Sequence, residues 1–400
     1  MSNYVERSRR GFGSRIKNSV GGVIFGLILL LGGTVGIYFN ESNSVRRAKE
    51  LKEGRGAVVS VDSSKVDPAN EGKLIHFTGD SKTDGPLSDQ KFGISGDFIK
   101  INRKAEMYQW KETVSSREEK KVGGSSETVK TYSHSKDWSS GLIDSSKFKY
   151  ANGHANPSSM PYQSQSSSAK AVSLGAFSLP EFLVSKINNT TDYVMQNIDG
   201  VSQEAKQTGR LHAGGLYIGS DPANPAVGDM RVTFSVVKPG PTSVIAMQKG
   251  STLAKYPTKT GRTLDILHVG THVADVMFDT EVKNNAIMTW ILRGAAFFAL
   301  MIGFNLVLGP LSVMASVLPF LGNLVAKGTG VISFLLAAVV WTIVVGISWL
   351  VVRPVLGIII LAVTVFLIVM IVRRIKQGKE EGGPPPMQEE PPSLTPPPLT

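Results

Sequence analysis

The chain carries two kinds of hydrophobic pattern. Residues 20–39 ("VGGVIFGLILLLGGTVGIYF") and 286–309 are long apolar runs, and 331–372 stays apolar over 42 positions with Arg353 as its one charge. A spanning helix needs about 20 apolar residues, so the last run is long enough for two. Arg353-Pro354 falls where a turn would join them, because proline disfavours helix in the residue before it and has no N–H for an interior bond. The pattern predicts four spans, 20–39, 286–309, 329–352 and 355–372. The turn is placed at 353–354, with Arg353 snorkelling to the headgroups.

The stretch 40–285 behaves differently. Met230, Val232, Phe234 and Val236 alternate with Arg231, Thr233 and Ser235, the period of a half-buried strand. Similar stretches lie at 56–61, 73–79, 97–114, 127–135, 243–248 and 264–270. Helices are predicted at 44–54, ending at Gly54, and at 271–285, running into the second span. A third is predicted at 178–189, from the capping-box spacing of Ser178 and Glu181. Residues 117–169 read as loop material or extended hairpins. The fold class expected is therefore a polytopic α-helical membrane protein with four spans and a large β-rich α+β domain outside the cytoplasm or in a lumen.

Charge orients these parts. Residues 1–19 carry Arg7, Arg9, Arg10, Arg15 and Lys17 against Glu6, and Arg373, Arg374, Lys376 and Lys379 follow the last span. Positive flanks favour the cytoplasm, so both termini are expected there and domain 40–285 on the opposite face. The first run reads as a retained signal anchor, since "YFNES" offers no small-residue cleavage site. Residues 310–328, with Pro310, Pro319 and Lys327, read as a cytoplasmic or interfacial apolar loop. Trp290 and Trp349 are placed at the opposite membrane interface, with Arg293 snorkelling three residues after Trp290 and Arg353 beside Trp349. The Pro-rich end of the 373–400 tail is expected to be disordered with polyproline II character. Of the net charge of +11, about +4 falls in the soluble domain, which is no nucleic-acid footprint.

Gly22, Gly26, Gly33 and Gly36 share one stripe of the first span and predict a close helix–helix contact, within the chain or between protomers. Asn305 is the amide well inside a span and is expected to bond a neighbouring helix. No Asp, Glu or His falls within any of the four runs, which argues against proton relays, ion-coupled transport and intramembrane proteolysis.

Motifs for chemistry are absent: there is no P-loop, H-E-x-x-H, G-x-S-x-G or EF-hand loop, and with no cysteine no disulfide or thiolate metal site. His268 and His272 are four apart but lack an acidic zincin partner. Glu71, Glu106 and Asp229 are the candidate acid–base groups, and a Ser–Lys dyad leaves no spacing to search for. No catalytic residue, metal or cofactor is assigned.

Several stretches, in order, resemble the transmembrane protein 43 (LUMA) family: "NEGKLIHFTG" (70–79), "EMYQW" (106–110), "HANPSSM" (154–160), "VGDMRVTFS" (227–235), "VIAMQKG" (244–250), "GFNL" (303–306) and "RP" (353–354). The resemblance implies a protein of endoplasmic-reticulum or inner-nuclear membrane that self-associates and organises complexes with emerin and lamins. The absence of cysteine and the Pro-rich tail depart from the animal pattern and point to a bacterial cytoplasmic membrane protein, without lamina partners. The function expected is a non-enzymatic scaffold in the lipid bilayer, homo-oligomeric through the glycine stripe, with an unknown membrane protein partner and no nucleic acid. The alternatives are an extracytoplasmic lipid-modifying or hydrolytic enzyme, which needs Glu71, Glu106 and His154 to converge, and an oligomeric channel or transport component.

Overall fold

The computed structural model describes residues 4–121, 125–315, 319–352, 358–359, 362–370 and 373. Three long helices dominate: α1 (Phe12–Ala57), α4 (Ala274–Ala315) and α5 (Pro319–Val352), with two short ones, α2 (Glu181–Val184) and α3 (Gln203–Thr208), inside the domain. Within the described residues, α1, α4 and Lys327–Trp349 of α5 are long and apolar enough to cross a membrane. Of the fourth expected span, 358–359 and 362–370 are helical. The turn at Arg353-Pro354 and the tail 374–400 lie outside the described residues.

α1 and α4 run antiparallel in a constant register. A Cβ on Gly26 would stand 2.7 Å from the Gly303 carbonyl oxygen, and one on Gly33 would stand 3.1 Å from Leu300. Gly22 meets Leu306 at 3.8 Å, while Gly36 has nothing within 4 Å. Small residues let helix backbones approach in lipid, where dispersion and close packing replace the hydrophobic drive. Three of the four stripe glycines are thus taken up by a contact within the chain.

Four expected boundaries shift. Residues 44–54 are no separate helix: α1 continues to Ala57 through the turn-favouring "NESNS" (40–44), whose Asn40, Glu41 and Ser44 are engaged by α4. The 310–328 loop is replaced by helix, as α4 continues through Pro310 to Ala315 and α5 opens at Pro319. The helix expected over 178–189 shrinks to Glu181–Val184, because Phe177–Leu179 pairs as a strand and Pro180 takes the N-cap. The expected strand at 56–61 is only Val59–Ser60.

The domain holds two sheets. In one, Met230–Val237 pairs with Lys100–Lys120, whose long hairpin partner is Ser126–Ser139. In the other, Leu74–Thr83, Pro241–Lys249, Thr252–Ala254, Phe177–Leu179 and Val172–Leu174 pair in succession, and Val172–Leu174 pairs back onto Leu74–Thr83. The ring closes around Phe77, Phe177, Val244, Leu174 and Ile75 and leaves these five strands without a free edge. A further cluster of Leu51, Leu74, Ile245, Leu264, Ile266, Met277 and Phe278 fuses this barrel to α1 and α4. There a Cβ on Gly54 would come within 2.2 Å of Leu264.

The N-terminal segment is the largest departure from expectation. Residues Tyr4–Arg10 form a strand on Ser126–Ser139, from Tyr4 opposite Tyr132 to Arg10 opposite Ser126, and α1 begins one residue past Gly11. Residues 4–19 are therefore an edge strand and a helix start, attached to the domain they were expected to oppose across the bilayer. The hairpin beyond Met107 reaches about 43 Å. The helix from Arg15 to Glu41 covers about 39 Å, so the hairpin tip meets Arg15 at Glu118, 3.8 Å away. Lys111, Glu112, Arg117 and Glu118 on that hairpin cannot lie in hydrocarbon. A bilayer around residues 20–39 and the docked strand are therefore mutually exclusive arrangements of one segment.

Two expectations follow from this architecture. Val5→Cys with Thr131→Cys, residues opposite one another in a chain without cysteine, forms an intrachain disulfide when the strand is docked and none in membranes where α1 spans; non-reducing electrophoresis reads the difference. His76 is buried, accepts at Nδ1 from Ser60 and donates from Nε2 to the His272 carbonyl. Burial holds its pKa below the ordinary 6.5 despite that carbonyl. The unfolded chain then takes up a proton that the fold refuses, so stability is full above pH 6.5 and falls as pH drops below it. Thermal unfolding of His76→Gln should lose part of that acid sensitivity.

Candidate functional site at the membrane–domain junction

Where the apolar run of α1 ends, Asn40 and Glu41 turn inward and are buried, Glu41 at 3% exposure. Across the interface Arg293 of α4 is 5% exposed and binds Glu41 through two parallel bonds, Nε to Oε1 at 2.6 Å and Nη2 to Oε2 at 2.8 Å. α5 closes the site: Trp349 donates its indole N–H to Glu41 Oε2 at 2.9 Å, and Trp341 donates to the Arg293 carbonyl at 3.0 Å. The guanidinium also lies 4.6 Å from the Trp290 ring centre and 5.1 Å from that of Trp349. A bidentate pair of this kind is about twice as strong as neutral hydrogen bonds and gains further in low dielectric.

The polar contacts continue up the helix pair. Asn40 donates to the Thr289 carbonyl at 3.1 Å, Thr289 and Ser44 share a hydroxyl contact at 2.8 Å, and Asn285 donates to the Ser44 carbonyl at 2.9 Å. Arg47 then pairs with Glu281 at 2.7 Å, and Arg55 with Asp279. Burial works against the Glu281 charge, but Arg47 and His268 outweigh it and hold its carboxyl below the ordinary value.

The residues expected to serve the membrane interface are thus redistributed. Arg293 does not snorkel, because Glu41 supplies its counter-charge inside the bundle. Trp349 is a hydrogen-bond donor to that carboxylate, and Trp290 is 61% exposed on the outer side of the guanidinium. Asn305 is exposed on α4, near Gly330 of α5, and forms no hydrogen bond among the described residues. Glu41 escaped notice because it lies just past the apolar run; the signal available was its place at the same end of an antiparallel helix pair as Arg293.

The acid–base candidates do not converge. Glu71 accepts from the Gly250 amide at 2.8 Å. Glu106 pairs with Arg231 at 2.8 Å and Lys104 at 3.0 Å, and Asp229 accepts from Tyr217 at 2.6 Å. His154 instead stacks on His134, ring centres 3.7 Å apart, and His134 bonds Glu112 at 3.0 Å. Burial opposes the Glu112 charge, but the amides of Lys149 and Tyr150 and the His134 ring prevail and lower its pKa. The cluster supports the docked strand: Tyr4 stacks on Tyr150 at 4.1 Å, and Glu6 accepts from Tyr132, whose pKa is thereby pushed up to about 12. His268 and His272 have ring centres 5.9 Å apart, each with its own partner, Glu281 and the Val269 carbonyl. Among the described residues no group of three His, Cys, Asp or Glu is arranged around a metal position.

A family model described as Transmembrane protein 43 matches residues 107–354, more than half the chain and including Arg293, Trp341 and Trp349. The chain belongs to the transmembrane protein 43 family. Human Transmembrane protein 43 is 34% identical over 358 residues, covering 87% of this chain and 88% of that protein. The homolog from Drosophila melanogaster is 27% identical over 348 residues, covering 84% and 89%. No solved structure matches. Transmembrane protein 43 relatives are thus similar across domain and bundle alike, and none of these names denotes an enzyme.

Glu41→Leu or Arg293→Leu alone should lower the stability of the extracted protein by about 3–5 kcal/mol, because each leaves an uncompensated buried charge. The double variant should recover most of that loss in the same thermal unfolding assay. Additive losses would show that the two groups are not coupled.

Proposed function

We propose that this member of the transmembrane protein 43 family is a non-enzymatic membrane scaffold. It holds a β-rich domain in fixed relation to the bilayer and self-associates to organise membrane protein and lipid assemblies. The observation that carries this reading is the continuity of α1 and α4: both pass from the apolar bundle into the domain core without a linker, tied by Glu41–Arg293 at one end and Leu51, Met277 and Phe278 at the other. Such a joint transmits position rather than gating it, which suits assembly more than turnover.

Gly22, Gly26 and Gly33 face α4 of the same chain, so self-association is assigned to other surfaces, with Asn305 and the open position at Gly36 the remaining polar and small residues for a partner helix. The host membrane is read as a bacterial cytoplasmic one from the cysteine-free composition, with an endoplasmic-reticulum or inner-nuclear membrane as the alternative favoured by the animal relatives. Mass measurement of the full chain in nanodiscs tests the proposal. The expected result is a multiple of the chain mass, with Asn305→Leu weakening assembly about three- to tenfold, the range of one interhelical hydrogen bond in lipid. A monodisperse monomer would sink self-association.

A further inference from the structure

α5 is described to Val352, just past the level of the ion pair, whereas α1 and α4 continue beyond it toward the domain. Among the described residues, the two helices leave above Trp349 an open groove of about 540 Å³. Its floor is Arg293 with Glu41, Trp290 and Ala286 form one wall and Val45 the other, and Lys49 and Lys52 stand at the rim. Glu41, Val45, Lys49 and Lys52 recur at helical spacing and share one face of α1. Counting along that helix, the two lysines stand about 12 and 16 Å beyond Glu41.

The charges of this groove are unbalanced. Glu41 is neutralised by Arg293, and on the same helix Arg47, Glu50 and Arg55 have ion-pair partners. Lys49 and Lys52 are exposed, and among the described residues neither ammonium takes an ion pair or hydrogen bond. The groove also begins where the apolar run of α1 ends, at the edge of the hydrocarbon. The headgroup layer extends about 5–8 Å past that edge, and a lysine stem reaches down into it while lying along apolar surface. The residue that follows α5 in the chain is Arg353, of the same sign as the lysines, so that segment is not their complement.

We propose that the groove binds one anionic glycerophospholipid of the surrounding leaflet. Its phosphate-bearing headgroup lies near the level of Val45, where the Lys49 side chain reaches down to it and Lys52 adds its charge from above, and its glycerol and upper acyl carbons lie against Trp290 and Trp349. The two indoles supply the amphipathic wall that interfacial lipid calls for. The two unpaired ammonium groups select net negative lipid over zwitterionic lipid. The inference rests on the membrane location of α1 and α4 and is independent of self-association.

The test uses the full chain in mild detergent, titrated with phosphatidylglycerol or phosphatidylcholine and read by native mass spectrometry. The expected result is preferential retention of phosphatidylglycerol. Lys49→Gln with Lys52→Gln should weaken that retention about 30-fold without changing phosphatidylcholine binding. Arginine at both positions should restore it, and both variants, altered only at exposed positions, should unfold at the wild-type temperature. Equal phosphatidylglycerol binding by the glutamine variant, or equal loss of both lipids, would overturn the proposal. Displacement of the lipid by inorganic phosphate at matching concentration would also overturn it, because the groove would then be a site for soluble anions.

Discussion

The bidentate bond between Glu41 and Arg293 is the constraint on which the arrangement of the three long helices depends. Each helix contributes to it: a carboxylate from α1, a guanidinium from α4, indole donors from α5. Buried pairs of this kind add little net stability, since desolvation offsets most of the attraction. They do penalise every alternative register. A one-residue slip of α1 would turn Glu41 by about 100° and strand both charges where water cannot reach them.

The same register then serves two solvents. Below the pair, Gly26 and Gly33 allow α1 and α4 to pack backbone to side chain, an interface that works in lipid. Above it, Ser44, Asn285, Arg47 and Glu281 supply hydrogen bonds and charge, an interface that works in water. The hydrophobic cluster around Leu51 and Phe278 completes the joint with the closed barrel. One continuous helix pair thereby changes its chemistry along its length while its geometry stays constant.

Local periodicity made much of this legible. The alternation at Met230–Val237 and the uncharged runs placed strands and apolar helices where they are. What periodicity could not supply was the identity of partners. Ser178 and Glu181 have capping-box spacing, yet strand pairing of Phe177–Leu179 in the barrel outweighs it. The basic N-terminal residues obey a charge rule that speaks of membranes, while the Tyr4 and Glu6 side chains find Tyr150 and Tyr132 through a pairing with no local signature. The candidate site was half visible for the same reason: Arg293 and Trp349 could be singled out as unusual, but their common partner, Glu41, sits on a helix 252 and 308 residues earlier.

The unbroken run of α1 from Glu41 to Gly54 also sets a height. Thirteen residues of helix amount to about 20 Å, so the barrel is held on a pillar of fixed length above the layer where the ion pair sits. With both legs of that pillar anchored at top and bottom, the barrel cannot swing about a hinge between Glu41 and Gly54. Whatever engages the barrel must itself stand out from the membrane by a comparable distance, so the helix pair acts as a ruler that sorts neighbours by their reach.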